Sequence, residues 1–134
     1  MTKGQKSVRI EKKKSKNKRV LGSGGFYIMT EYRLAKPEEW EDCIELANYV
    51  FSTAHRPHDF EQLIPRVYQA GPEMARIHRV AVAENGRLRA EIAVLPQQMA
   101  AGDKLLRAGY VGSVSVHPKA RGEGHMKRLL GDWI

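Results

Sequence analysis

The segment of this sequence best suited to chemistry is residues 114–128, VSVHPKARGEGHMKR. An apolar strand pattern leads through a proline turn into a loop with Gly122 and Gly124, and an amphipathic helix pattern follows. The first backbone N–H groups of a helix have no partner within it and lie at the positive end of its dipole. The glycines let a phosphate approach such amides closely, and Arg121 adds positive charge. The spacing therefore predicts a phosphate site built mainly from backbone.

Other nucleotide and metal sites are excluded or disfavoured. The dinucleotide fingerprint Gly-x-Gly-x-x-Gly fails at Lys127, and the Gly-Lys-Ser/Thr of a P-loop does not occur. Cys43 is the only cysteine, so it can form neither an internal disulfide nor a cysteine-based zinc site, and a buried thiol is expected. His117 and His125 flank the loop without residues that would orient them as ligands, so no metal is predicted.

Two helices are predicted before the central strands. A short strand at 32–34 precedes Pro37, which opens the first helix. Its apolar stripe consists of Trp40, Cys43, Ile44, Ala47 and Phe51. Asp59 is predicted to cap a second helix that kinks at Pro65. The apolar face of this second helix consists of Phe60, Leu63, Ile64 and Val67.

Strand alternation takes over in the middle of the chain. Val80 and Val82 lead through Asn85-Gly86, a type I′ signal, into alternation over residues 88–94. A second turn at 101–103 leads into a strand over 105–116. The last helix has an apolar face of Met126, Leu129, Leu130 and Trp133. The order β, α, α, β, β, β, α predicts an α/β fold with a mixed, mostly antiparallel sheet flanked by helices.

The net charge of +8 lies in the N-terminal segment. Residues 1–28 contain nine Lys or Arg residues and one acid, whereas residues 29–134 contain fourteen of each. Since nucleic-acid-binding domains carry their cations on a folded face, the neutral part disfavours that class. The run at 12–19 and the Gly/Ser linker at 22–25 predict a disordered basic tail over 1–28 and one domain over 29–134. Met29 stays open as an alternative start.

The segment 114–130 resembles motif A of the GCN5-related N-acetyltransferases (GNAT), Arg/Gln-x-x-Gly-x-Gly/Ala. Arg121 takes the first position and Gly124 the fourth, while Met126 stands at the sixth, where Gly or Ala is usual. With that bulky residue, the pattern Val-Ser-Val-x-Pro-x-x-Arg-x-x-Gly-x-Met-x-x-Leu-Leu is similar to the Eis-type (enhanced intracellular survival) branch. The resemblance extends over residues 30–134 and is most specific in motif A.

The resemblance implies a GNAT acyl-CoA N-acyltransferase fold, with acetyl-CoA as co-substrate and an amine of a small molecule or peptide as acceptor. In the family the strand before the loop pairs with the pantetheine arm, and the loop amides bind the pyrophosphate. The residues at these positions are Val114, Ser115, Val116, Arg121, Gly122, Glu123, Gly124, His125, Met126 and Lys127. Because backbone does the binding, the valine side chains are still expected in the core.

The resemblance also implies elements beyond this sequence. Eis-type proteins continue past the motif A helix and place a tyrosine acid and a C-terminal base there, so the catalytic residues are unknown and expected beyond residue 134. Residues 29–134 are thus interpreted as the N-terminal portion of a GNAT domain, truncated after the motif A helix. A homo-oligomer stays open for a full-length form. Two alternatives also stay open: a non-catalytic fragment, and a binding module whose tail contacts nucleic acid.

The sequence also indicates a cellular location and offers two further candidate features of an active site. No stretch approaches the ~20 apolar residues of a membrane span, and the basic N-terminus lacks the apolar region of a signal peptide, so no membrane contact and a cytoplasmic location are expected. Residues 55–59 form either an acceptor-binding loop, as in related enzymes, or a plain polar connection. Glu91, which looks inward from mid-strand, is a candidate general base acting through water.

Overall fold

An antiparallel sheet of five strands organises the described part of the chain, which in this computed structural model comprises residues 16–21, 27–54 and 56–132. The strands and α-helices are β1 (Lys16–Leu21), β2 (Tyr27–Leu34), α1 (Trp40–Ser52), α2 (Phe60–Leu63), β3 (His78–Ala83), β4 (Leu88–Ala101), β5 (Lys104–Val116) and α3 (His125–Gly131). Short 3-10 turns occupy Pro37–Glu39, Pro72–Ile77 and Pro118–Ala120. The strands lie in sequence order and every pairing is antiparallel. The predicted α/β class and the run of three strands before the last helix are confirmed.

The N-terminal segment differs from the prediction of a disordered tail. Residues 16–21 form β1 and residues 27–28 begin β2, with Lys16 opposite Tyr32 and Leu21 opposite Tyr27. The pairing satisfies backbone N–H and C=O groups along β2, a gain that does not depend on side-chain charge. A run of like charges is therefore compatible with a paired strand. The rest of the predicted tail lies outside the described residues.

The layer on one face of the sheet contains α1, whose first turn follows Pro37 as predicted. Cys43, Ile44 and Ala47 of the predicted stripe are buried, and Trp40 and Phe51 are partly buried. Cys43 packs in a cluster with strand residues that include Val80. The periodicity of α1 thus predicted its buried face correctly.

The opposite face is covered by α3. Its buried cluster consists of Tyr32, Ala81, Ala90, Ile92, Val94 and Leu129. Val116 and Met126 pack against this cluster. Leu130, predicted to share the buried face, is 41% exposed because the seven-residue helix directs Leu129 into the sheet and turns the next side chain away. Trp133 lies outside the described residues.

Two local predictions are wrong in detail. The Asn85-Gly86 turn is not type I′, because only Gly86 has a positive φ (80°) and Asn85 does not. Gly86 N–H bonds to Ala83 O, and Ala83 N–H bonds to Arg87 O, which makes a type I turn followed by a left-handed glycine. The register of β3 and β4 shifts beside it.

The second helix is shorter than predicted. Asp59 caps it as expected, its carboxylate accepting from the N–H groups of Glu61 and Gln62 at 3.1 and 3.3 Å. The helix ends at Leu63 rather than kinking at Pro65. A proline disfavours the helical conformation of the residue before it, and Ile64 accordingly has φ −135° and ψ 66°.

Candidate functional site

The outer side of β5 is a free sheet edge within the described part of the chain, since β5 pairs only with β4 there. His117 N–H donates to Arg89 O at 2.8 Å, and Val116 lies opposite Ala90. Backbone groups alternate in direction along an antiparallel strand. Those of Ser115 therefore face β4, whereas those of Val114 and Val116 face the free edge.

The three predicted strand residues thus have different environments. Val114 and Val116 offer backbone groups at the edge. Ser115 instead lies opposite Glu91 and is buried. The expectation that both valine side chains are core is wrong for Val114, which is 39% exposed because an edge strand leaves one flank of the side chain uncovered.

A β-bulge lies in β5 just before these residues. Val114 pairs with Ile92 and Val111 pairs with Val94, so Gly112 and Ser113 together oppose a single residue of β4. The bulge interrupts the ladder at Ser113, whose N–H donates to Tyr68 Oη at 2.8 Å. A Cβ at Gly112 would lie 2.8 Å from the same oxygen. Because Gly112 has no side chain, the Tyr68 hydroxyl has room to reach the bulge.

A buried polar cluster lies beneath the bulge. Ser113 Oγ donates to Glu91 Oε2 at 3.0 Å, and His78 Nε2 lies 3.5 Å from that oxygen. His78 Nδ1 contacts Met74 O at 2.8 Å, so Nδ1 carries the proton and Nε2 is left as an acceptor. Burial raises the pKa of Glu91 to about 8 and lowers the pKa of His78. The pair is therefore uncharged at neutral pH, and Glu91 is fully enclosed.

The loop after β5 has the conformation that its glycines allow. Gly122 and Gly124 have φ values of 83° and 82°, in the left-handed region that disfavours other residues. A Cβ at either would meet nothing within 4 Å, so the space above the loop is open. Gly124 is the N-cap of α3, and Arg121 and Lys127 are exposed beside it. The loop thus presents backbone and positive charge to open space.

Three predicted loop residues direct their side chains away from that space. His125 is buried, and Met126 packs against the core cluster under α3. Glu123 Oε1 bonds to Arg89 Nη2 at 3.0 Å and its Oε2 to His125 Nε2 at 2.8 Å. These three positions can therefore contribute only backbone to a ligand above the loop.

Four residues that contact the candidate site were not predicted from the sequence. Tyr68 contacts the bulge, and Arg89 contacts the loop. Tyr32 Oη bonds to His125 Nδ1 at 2.8 Å, and His78 lies beside Glu91. Each acts on a residue far away in the chain, so no local pattern marks it.

The predicted interhelical loop has mainly structural contacts. The His58 ring packs at a tilt against Phe51 and Phe60, and Asp59 caps α2. His55 lies outside the described residues. Over the described ranges, no helix is long and apolar enough to cross a membrane, and no group of three or more His, Cys, Asp or Glu side chains is arranged to hold a metal ion.

Comparison with known families identifies the fold. A family model described as an acetyltransferase (GNAT) domain matches residues 31–133. The chain belongs to this family. The GNAT fold predicted from motif A is thereby confirmed, and acyl transfer is the general activity of the domain.

The GNAT domain was also compared with solved structures and with curated proteins. The crystal structure of a mutant BH1408 protein from Bacillus halodurans is similar over 76% of this chain and 70% of that one, with 15% sequence identity and a TM-score of 0.46. No curated protein matches the sequence.

Proposed function

We propose that this GNAT domain binds acetyl-CoA along the outer edge of β5 and the loop that follows, and transfers the acetyl group to an amine. One observation carries the proposal: the edge that exposes backbone groups of Val114 and Val116 runs directly into the loop with left-handed Gly122 and Gly124. An amide-containing arm can pair with such an edge as an added strand. A pyrophosphate at the end of that arm then reaches the loop.

Different residues bind different parts of the co-substrate in this proposal. The amide groups of the pantetheine arm pair with Val114 and Val116, while Ser115 keeps its bonds to β4. The loop amides that face the pyrophosphate are those of Gly122, Glu123, Gly124, His125, Met126 and Lys127. Arg121 supplies a long-range positive charge from its exposed position.

The reaction we propose is direct attack. The nitrogen of a neutral amine attacks the thioester carbonyl carbon, a C–N bond forms, the C–S bond breaks, and the proton lost by the amine is taken up by the departing thiolate. The strand and loop hold the thioester in place, and a backbone N–H near Val116 stabilises the negative charge that develops on the carbonyl oxygen. Glu91 is enclosed and does not contact the reactants, so no acid or base is assigned.

The finer family assignment we propose is the Eis-type branch. It is supported by Met126, the bulky residue at the sixth position of motif A, whose side chain packs against the core cluster rather than over the loop. The acceptor in this proposal is a small-molecule or peptide amine, and the protein is a candidate homo-oligomer. Because CoA thioesters are made inside cells, a cytoplasmic location accompanies the proposal. Nucleic-acid contact through residues 1–28 stays a separate prediction.

Calorimetric titration with acetyl-CoA tests the proposal, using two matched glycine variants. Gly124→Ala and Gly86→Ala place the same side chain at nearly the same φ, 82° and 80°, but only Gly124 lies in the loop. The strain of about 1–2 kcal/mol corresponds to a roughly five- to thirtyfold loss of affinity if it distorts the binding loop. We expect that loss for Gly124→Ala and wild-type affinity for Gly86→Ala. Absence of binding by the wild type, or equal losses in both variants, would overturn the proposal.

A further inference from the structure

A carboxylate inside a phosphate-binding loop is electrostatically unfavourable, and Glu123 is such a residue. It lies between Gly122 and Gly124, whose amides face the pyrophosphate in the proposed function on which this inference rests. A free carboxylate there would repel the phosphates. The Glu123 side chain is instead only 8% exposed and turned beneath the loop. A carboxylate buried in this way needs partners that hold it and balance its charge.

Two side chains hold the carboxylate from below. Arg89 Nη2 lies 3.0 and 3.5 Å from the two carboxylate oxygens, and His125 Nε2 lies 2.8 Å from Oε2. The carboxylate can only accept, so His125 Nε2 carries a proton. The guanidinium of Arg89 supplies a balancing charge, and the imidazole adds a hydrogen bond that fixes the orientation of the carboxylate.

The chain of hydrogen bonds continues into the core. On the other side of the ring, His125 Nδ1 lies 2.8 Å from Tyr32 Oη, so both ring nitrogens are hydrogen-bonded. Tyr32 and His125 are both buried, and burial raises the pKa of Tyr32, so the phenol keeps its proton. Both nitrogens of the imidazole are thus satisfied inside the protein.

We propose that Arg89, Glu123, His125 and Tyr32 form a buttress that fixes the pyrophosphate loop and cancels its internal negative charge. The buttress ties the loop to β4 through Arg89 and to β2 through Tyr32. Arg89 is in this view a positioning residue, which promotes binding of acetyl-CoA through Glu123 and not by contacting phosphate itself. Glu123 is likewise a structural anchor of the loop.

The rival role for Arg89 is direct pairing with a phosphate, and a double-mutant cycle separates the two. Arg89→Met in the wild-type background leaves Glu123 unneutralised, and we expect acetyl-CoA affinity to fall by about ten- to a hundredfold, the ratio for one charge-assisted bond left unmade. In a Glu123→Gln background the same Arg89→Met change should cost less than about threefold, because no carboxylate is left to neutralise. Equal losses in both backgrounds would show direct phosphate contact and overturn the proposal.

Two controls make the cycle specific. Arg87→Met removes the same charge two residues away from an exposed position, and is expected to cost less than about threefold, because general attraction at the surface is weak. Acetyl-pantetheine, which lacks the pyrophosphate, should bind the Arg89→Met variant and the wild type equally. A loss with acetyl-pantetheine equal to the loss with acetyl-CoA would mean general damage to the fold and would contradict a role confined to the loop.

Hydrogen exchange of the free protein tests the buttress without any ligand. Tyr32→Phe removes the hydroxyl that holds His125. The Arg128 N–H donates to Gly124 O at 3.2 Å, so its protection depends on the position of the loop end. We expect exchange of the Arg128 amide to accelerate by about tenfold, while α1 exchanges as in the wild type. Unchanged exchange at Arg128 would overturn the buttress. If the wild type fails to bind acetyl-CoA but exchange at Arg128 responds as expected, the proposed function fails and the buttress stands.

Discussion

Replacing Glu91 by Gln should remove a pH dependence of stability that the buried carboxyl gives the wild-type protein. Glu91 is fully buried, and burial raises its pKa to about 8. A Glu carboxyl in the unfolded chain has a pKa of about 4.3. Between these values the folded protein holds a proton that the unfolded chain has released, so stability falls as pH rises. Above the folded value the loss is complete.

The most informative window is pH 6.5 to 8. Burial lowers the pKa of His78 below its ordinary 6.5, so the folded protein keeps this neighbour neutral throughout the window. The charge that His78 still carries in the unfolded chain near pH 6.5 affects the wild type and Glu91→Gln alike. Burial raises the pKa values of Cys43 and Tyr68, which keep their protons in the folded protein. Glu91 then contributes a loss of about 1.4 kcal/mol per pH unit, or about 2 kcal/mol across the window.

Urea unfolding at both ends of the window measures this loss. The wild type should lose about 2 kcal/mol more than Glu91→Gln, in which the carboxamide cannot ionise. Glu84→Gln, the same change at an exposed position in the β3–β4 turn, should follow the wild type. Parallel losses in the wild type and Glu91→Gln would refute the reasoning, since Glu91 would then ionise equally well in the folded protein.

Three further predictions each rest on the environment of a single residue. Gly112→Ala places a Cβ 2.8 Å from Tyr68 Oη and should cost about 1–3 kcal/mol in urea unfolding, because the buried Ser113 N–H loses its acceptor. In the control Gly131→Ala the Cβ meets nothing within 4 Å, so no cost is expected. Equal effects of the two changes would contradict the contact. Cys43 has no exposed surface and burial raises its pKa, so the native chain should resist iodoacetamide at pH 8, by mass spectrometry, and react in urea; rapid native labelling would show an open core. Asp59→Ala should lower the free energy of unfolding by about 1 kcal/mol, because it removes the cap of α2. Asp59→Asn keeps a side-chain acceptor at the cap and should lower the free energy of unfolding by much less. Equal losses in the two variants would mean that the capping hydrogen bonds do not cause the effect.

Local pattern was enough to predict much of the fold. The stripe containing Cys43 and Ala47 predicted the buried face of α1, because helical periodicity needs no knowledge of what packs against it. Alternation predicted β3 to β5 for the same reason. The turn at Asn85-Gly86 was predicted with the wrong type, since one dipeptide suits both a type I′ turn and a type I turn with a bulge, and strand register decides between them.

The structure differs from the predicted tail where residues 16–21 form a strand, because that pairing is not local in sequence. Residues 16–21 have a composition typical of disorder, yet they pair with β2 through backbone groups that carry no sequence signal. The end of α2 at Leu63 shows the opposite case. There the conformation of Ile64, the residue before Pro65, sets the boundary locally, although the apolar pattern continues to Val67.

The family motif, the glycines at which the loop turns and the strand that leads into it can be recognised in the sequence, because they depend on residue type at short spacing. The side chains that support them come from distant parts of the chain and are set by packing. Tyr68 meets Ser113 from 45 positions away, and Tyr32 meets His125 from 93. These contacts form because the sheet brings distant strands together at fixed register. The carboxylate of Glu123, in the predicted phosphate loop, likewise pairs with Arg89, which lies 34 positions earlier in the chain.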